Sequence, residues 1–272
     1  MKMIVLSDLH LKTSQDTSRD LGNTERFETA IDRINSAYSD ADLVVVAGDL
    51  ADRGRYLEPY ETFVSAIAKL DPPHAVTLGN HDARENYVAV AGTRHCDKNG
   101  FVQSCHEIDG TFVIILDSVS DLPAPSGFKG ARSPAGQLCD QRLKWLDNAL
   151  EEAAGRPVIV ILHHPPLQLQ INSDDMALEA PNALIERLVA YGNVRHVISG
   201  HIHMTTTAFH RGIPFTTIAG NFSTTSEDFG SKVNKQRRTG PAQMAVVLSD
   251  TEQTTIHFDN YCDDHPLVTR SY

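Results

Sequence analysis

Five short polar runs hold most of the side chains in this chain that could do chemistry: SDLH at 7–10, GDLADRG at 48–54, GNHD at 79–82, HHPP at 163–166 and GHIH at 200–203. Asp8, His10, Asp49, Asn80, His163, His201 and His203 offer carboxylate, imidazole and amide oxygen but no thiolate. That donor set suits Mn²⁺, Fe, Zn²⁺ or Co²⁺. Seven donors exceed what one tetrahedral ion needs. Two adjacent cations sharing a carboxylate, about 3.5–4 Å apart as in two-metal hydrolytic sites, account for the surplus. Gly48, Gly79 and Gly200 each stand immediately before a donor, which suits a sharp turn and close backbone approach.

These donors are far apart in sequence, so the fold must gather them. Apolar, mostly β-branched runs at 3–6, 43–47, 75–78, 112–116, 158–162 and 194–198 read as strands, most of them buried on both faces. Helical spacing links Phe27, Ile31 and Ile34; Phe63, Ile67 and Leu70; Leu143, Leu146 and Leu150; and Leu184, Leu188 and Tyr191. Pro59 and Pro181 stand where first helical turns begin. The alternation predicts an α/β architecture with a largely parallel inner sheet. Each polar run follows the carboxyl end of a predicted strand, the edge at which α/β sheets bind ligands, so the runs are expected to converge there. In the tail, 205–209 and 213–218 flank His210-Arg211-Gly212, and 243–249 and 254–258 flank Asp250-Thr251-Glu252; both patterns are hairpin signals, predicting an antiparallel C-terminal portion. Residues 121–136 and 223–241 read as long loops of the kind that form lids or partner surfaces.

Composition bounds the partners. The 24 Lys and Arg against 35 Asp and Glu give a net charge of −11, a field that repels a phosphate polymer, so no nucleic-acid polymer is expected as substrate. The short basic cluster Lys235, Arg237 and Arg238 reads as a solvated loop. Four cysteines without CxxC spacing favour neither a zinc ribbon nor a disulfide framework. The opening apolar run is too short for a signal segment and no stretch reaches membrane-spanning length, so a cytoplasmic location without membrane contact is expected.

The ordered set D-x-H, GD, GNHD, a lone His and GHxH, running from Asp8 to His203, resembles the calcineurin-like metallophosphoesterase superfamily. Within it the chain looks most like the small bacterial cyclic-nucleotide and glycerophosphodiester phosphodiesterases, on GDLADRG, GNHD, HHPP and its length. The resemblance implies a four-layer α/β/β/α sandwich spanning 1–272, with 205–272 completing the sandwich or forming a lid or subunit contact. It implies two divalent cations, one held by Asp8, His10, Asp49 and His203, the other by Asp49, Asn80, His163 and His201, with Asp49 bridging. His81 then faces the substrate phosphate and leaving oxygen, and Asp82 is expected to orient His81. The activity implied is hydrolysis of a small-molecule phosphodiester by in-line attack of a hydroxide shared between the cations. A homodimer or higher assembly stays open.

Two positions depart from the common pattern: Leu78 precedes GNHD where proline is frequent, and Met204 follows GHIH where a basic residue is often seen. Asp52 and Arg53 read as a cap or surface pair. His164 stays open between a supporting group at the site and a histidine held by backbone hydrogen bonds. Asn221 reads as a turn residue, Trp145 as core or interface, and His74, His95, His106, His196 and His210 carry no assigned chemistry. The rival readings are a phosphomonoesterase or protein phosphatase, and a non-catalytic scaffold of the same fold.

Overall fold

Strand and helix alternate from the first residues in a computed structural model that describes residues 1–16, 18, 21–126, 132–226 and 236–263. The order is β1 (Lys2–Leu6), α1 (Asn23–Ala37), β2 (Leu43–Ala47), α2 (Glu58–Ile67), β3 (His74–Thr77), α3 (Arg84–Ala91), β4 (Ser104–Ile108) and β5 (Thr111–Leu116). Then follow α4 (Asp140–Ala153), β6 (Val158–Leu162), α5 (Asn182–Tyr191), β7 (Val194–Ser199), β8 (Thr206–His210) and β9 (Ile213–Thr217). The last strands are β10 (Thr224–Ser226), β11 (Gln236–Arg238), β12 (Met244–Ser249) and β13 (Thr254–Asp259).

Two sheets carry the fold. One runs β13-β12-β1-β2-β3, the other β4-β5-β6-β7-β9-β8. β1, β2 and β3 are mutually parallel, as are β5, β6, β7 and β9. Every residue of β2 and β6 is buried, which is why LVVVA and VIVIL show no polar alternation. Met3, Val5, Val45 and Val247 of the first sheet face Val113, Ile115, Ile159 and Ile198 of the second in an apolar layer between the sheets. On the outer side of the first sheet, Ile4, Val44 and Val76 pack with Phe27, Ile31 and Phe63 of α1 and α2. On the outer side of the second, Ile114 and Val160 pack with Leu146, Leu150, Leu184 and Leu188 of α4 and α5. The layers are therefore helix, sheet, sheet, helix, as the resemblance implied.

The tail agrees only in part. β12 and β13 pair antiparallel, and so do β8 and β9, but β9 lies parallel to β7 as a continuation of the second sheet. The segment read as one long loop at 223–241 contains an antiparallel ribbon of β10 and β11. Lys235 of the basic cluster lies outside the described residues. Trp145 is partly buried against the α4–α5 core. Among the described residues no helix is long and apolar enough to cross a membrane.

His196 of β7 is buried, its Nε2 2.7 Å from Thr216 Oγ1, and burial pushes its pKa down to about 4. It is neutral when folded but protonates near about 6.5 in the unfolded chain. Between those values the unfolded state binds more protons, so this stability is complete above about pH 6.5 and is lost progressively as pH falls towards 4. Urea unfolding of His196→Gln is expected to show a shallower loss between pH 7 and 5 than the native chain. An unchanged slope would remove His196 from the account.

Candidate metal centre

The polar runs leave their strands at one edge of both sheets. Ser7–His10 follows β1, Gly48 to Gly54 follows β2 and Gly79 to Asp82 lies just beyond β3, while His163 follows β6 and Gly200 follows β7. Five of the expected donors adopt left-handed backbone: Asp8 (φ 56°), His10 (φ 47°), Asp49 (φ 51°), His201 (φ 73°) and His203 (φ 52°). Such conformations are costly for non-glycine residues and persist where the surroundings over-determine them, as functional sites do. The turns are crowded as well. A Cβ on Gly79 would lie 2.2 Å from Asp49 Oδ1, and one on Gly200 would lie 2.6 Å from Asp8 Oδ2, so only glycine lets these backbones approach.

Asp8, His10, Asp49 and His203 are all buried and present ligand atoms within 4.8 Å of one another. His10 Nε2 lies 3.1 Å from His203 Nε2 and 3.5 Å from Asp49 Oδ2, and His203 Nε2 lies 3.4 Å from Asp8 Oδ1. The same Asp49 Oδ2 lies 3.4 Å from His163 Nε2, which is 3.3 Å from Asn80 Oδ1. The rings of His163 and His201 meet edge to face with centroids 5.1 Å apart. These contacts bring the seven expected donors to one edge of the two sheets, with Asp49 Oδ2 within reach of both His10 and His163.

Outer hydrogen bonds fix which nitrogen each ring turns inward. His203 Nδ1 donates to Ser223 O at 2.8 Å and His163 Nδ1 to Ala47 O at 2.8 Å, leaving both Nε2 lone pairs in the centre. Asp8 accepts the His201 backbone N–H at 3.1 Å on both oxygens, tying β1's loop to β7's. Asn23 donates to His10 O at 2.7 Å.

The electrostatics follow from burial and crowding. Burial pushes the Asp49 carboxyl up, but the charges of His163 and His81 outweigh it and hold Asp49 well below the usual range. Asp8 is raised, by burial first and Asp49's charge as well. Burial opposes charge on His163, yet Asp49 raises it to about 9, while burial drives His201 down to about 3 and His203 well below its usual value. His201 and His203 are thus neutral imidazoles. Three buried ring nitrogens, His10 Nδ1, His164 Nε2 and His201 Nε2, have no hydrogen-bond partner among the described residues. Converging lone pairs and carboxylates with too few protons between them fit divalent cations, which replace the protons that such ligands would otherwise share.

Several expectations need correction. Asp82 does not hydrogen-bond His81. Its carboxylate accepts N–H bonds from Gly79 (2.9 Å), Ala51 (3.0 Å) and Leu50 (3.1 Å), so it clamps two turns together. His81 Nδ1 instead donates to the Asp52 carbonyl at 2.8 Å, and its backbone N–H donates to Asp49 Oδ1 at 2.9 Å. Asp52 meets Arg53 at 3.9 Å, as the surface-pair reading expects, but it does more: its Oδ1 lies 3.6 Å from His10 Nδ1, and Arg53 also pairs with Asp16 at 3.1 Å. His164 is fully buried, Nδ1 2.8 Å from Ser118 Oγ, and groups with His163 and His201. Asn221 is a buried brace, donating to Leu9 O (3.3 Å) and Asn23 O (3.0 Å) and accepting from Tyr261 at 2.7 Å. Asp52 had a signal, its place three residues after Asp49 in the same polar run. Ser223 had none, because it acts through a backbone carbonyl.

A family model described as calcineurin-like phosphoesterase matches residues 1–205. A Rhodopseudomonas palustris protein named as a probable cyclic nucleotide phosphodiesterase is 30% identical, the match covering 99% of this chain and 96% of that one. An Arcobacter nitrofigilis protein named as a probable glycerophosphodiester phosphodiesterase is 27% identical over 80% of this chain and 78% of its own. Among solved structures, a dimetal phosphatase from Danio rerio superposes with a TM-score of 0.65 at 14% identity, covering 94% of this chain and 98% of that one, a likeness of fold.

Proposed function

The chain belongs to the calcineurin-like phosphoesterase family, and from that premise we propose that it hydrolyses small phosphodiesters, cyclic nucleotides or glycerophosphodiesters, at a centre of two divalent cations. The observation that carries this reading is the placement of one oxygen, Asp49 Oδ2, between His10 Nε2 at 3.5 Å and His163 Nε2 at 3.4 Å, imidazoles that come from different sheets. The names of the relatives support the diester as substrate.

Asp8, His10, Asp49 and His203 would hold one cation and Asp49, Asn80, His163 and His201 the other. When bound, such a pair supplies charge neutralisation for phosphoryl oxygens and a water acidic enough to react at neutral pH. The chain supplies the rest. His81 is the exposed imidazole of the group, its ring edge-on to His10 with centroids 4.7 Å apart. Burial opposes its charge, but Asp49, the Asp52 carbonyl and the Asp52 carboxylate together hold it above the ordinary imidazole range. With Nδ1–H committed to Asp52 O, its Nε2–H is free to hydrogen-bond a phosphate oxygen or to protonate a departing alkoxide. The net charge of −11 favours small diesters over a polyanion.

Turnover of bis-p-nitrophenyl phosphate and p-nitrophenyl phosphate, with Mn²⁺, Fe²⁺, Co²⁺ and Zn²⁺ supplied separately, is the test. The diester is expected to be preferred by about tenfold or more in kcat/KM with at least one metal. Preference for the monoester would assign a phosphomonoesterase or protein phosphatase, and a metal-loaded protein inert to every phosphoester would assign a scaffold.

A further inference from the structure

We propose that His164 is a positioning residue for His201: clamped by Ser118 and Gly136, its ring sets the pose of the His201 imidazole, and so the affinity for the cation on that side, without itself binding the cation. The inference rests on the two-cation reading given above.

The ring donors of the centre are oriented in different ways. His163 and His203 each give Nδ1–H to a backbone carbonyl at 2.8 Å, Ala47 O and Ser223 O, which fixes the ring and turns Nε2 inward. His201 lacks such an anchor. Its Nε2 is buried with no hydrogen-bond partner among the described residues, and the Met176 carbonyl is a minor influence on the ring's proton beside burial. The second side-chain torsion of histidine has broad wells, so a ring without an outer acceptor holds its pose only where neighbours wall it in. The walls of His201 are imidazoles: the His164 ring centroid lies 4.8 Å away with the planes at 51°, and the His163 centroid 5.1 Å away with the planes at 71°. His163 is held by Ala47 O, which leaves His164 as the wall whose own pose has to be secured.

Three contacts secure it. Ser118 Oγ lies 2.8 Å from His164 Nδ1 and accepts the His164 backbone N–H at 3.4 Å, so one hydroxyl grips both the ring and its backbone. Gly136 lies flat against the same ring: a Cβ there would stand 2.5 Å from His164 Cγ and 2.7 Å from Nδ1. The His163 ring meets His164 edge to face, with centroids 4.9 Å apart. Gly136 is itself tied down, donating to Ala177 O at 3.2 Å and accepting the Glu179 N–H at 2.7 Å, while Leu178 N–H donates to Pro165 O at 2.9 Å. The loop that covers the ring is thus bound back to the HHPP run that carries it. Ser118 and His164 are both wholly buried, so a displaced ring has no solvent to move into. The polar neighbours of His164 outside the centre are Ser118 and the Pro134 carbonyl, and what the ring offers His201 is a packed surface.

The test is calorimetric titration of the chelator-treated full chain with Co²⁺, comparing native protein with His164→Asn, His164→Phe, Ser118→Ala and His201→Ala. The last of these marks which binding step belongs to His201. Asparagine keeps a polar group near Nδ1 for Ser118 and removes the rest of the ring; phenylalanine restores a ring and has no ligand atom. Affinity at the His201-dependent step is expected to fall about tenfold in His164→Asn and by less in Ser118→Ala, and to recover most of that loss in His164→Phe, with any other step within about twofold of native. Unchanged affinity in His164→Asn would overturn the proposal. So would a loss that His164→Phe does not recover, which makes His164 a ligand. Equal losses at every step together with a lowered melting midpoint would also overturn it, assigning His164 to folding alone. If the native chain hydrolyses no diester, the function reading fails by itself, and cobalt affinity still judges His164.

Discussion

An Asp49→Ala protein is expected to lose phosphoesterase turnover by about 10³-fold or more and to bind less than its full complement of metal. Among the described residues Asp49 is the carboxylate with an oxygen between His10 and His163, and its other oxygen accepts the His81 backbone N–H at 2.9 Å. Its removal therefore deprives both expected cations of a shared anion and leaves the buried His163 without the charge that raises it. Alanine also tolerates the left-handed backbone at φ 51° poorly, a cost of about 1–2 kcal/mol that could lower activity through folding alone. Asp49→Asn separates the two effects, because asparagine accepts that conformation and keeps an amide oxygen for the His81 N–H. Metal content by mass spectrometry and turnover measured together decide the matter: two metals and native turnover in Asp49→Asn would end the bridging assignment.

His81→Ala should behave in the opposite way towards metal. Its Nδ1 is taken by the Asp52 carbonyl at 2.8 Å, and the exposed ring lies at the rim beside His10, outside the buried set Asp8, His10, Asp49 and His203. Turnover is expected to fall about 10²-fold, the usual worth of a positioned acid or a single oxyanion donor, with two metals still bound. A leaving group of low pKa, such as p-nitrophenolate, needs little protonation. The loss should therefore be larger for an alkyl diester than for bis-p-nitrophenyl phosphate if His81 acts on the departing oxygen, and equal for both if it only grips the phosphate. Loss of metal from His81→Ala would instead make it a ligand.

The strands that position the centre were legible because burial on both faces writes an uninterrupted apolar run, as in LVVVA of β2 and VIVIL of β6. What the periodicity left out is instructive. α3 buries only Tyr87 and so has no apolar stripe, and β4, a half-buried edge strand reading SCHEI, has no apolar run. The donors were legible from their types and order, since every one follows a strand. The supports were not. Asp82 spends its carboxylate on the backbone N–H groups of Leu50, Ala51 and Gly79 rather than on the neighbouring imidazole, because three buried amides at turns need an acceptor. The carbonyls of Ala47, Asp52 and Ser223 orient three histidines with atoms that every residue type possesses, so no side-chain pattern announces them. Asn221 depends on contacts 212 and 198 residues distant, with Leu9 and Asn23.

The donors are divided between the sheets: Asp8, His10, Asp49 and Asn80 leave the strands of one, His163, His201 and His203 those of the other. Neither half of the chain owns a working pocket. A fragment ending before β5, or a chimera that exchanged one sheet for that of a distant relative, would inherit only part of the expected donor set however well it folded. The seam between the layers is thus where heredity of the chemistry resides, and slippage of one sheet over the other by a fraction of an ångström would be read directly as a change in donor spacing.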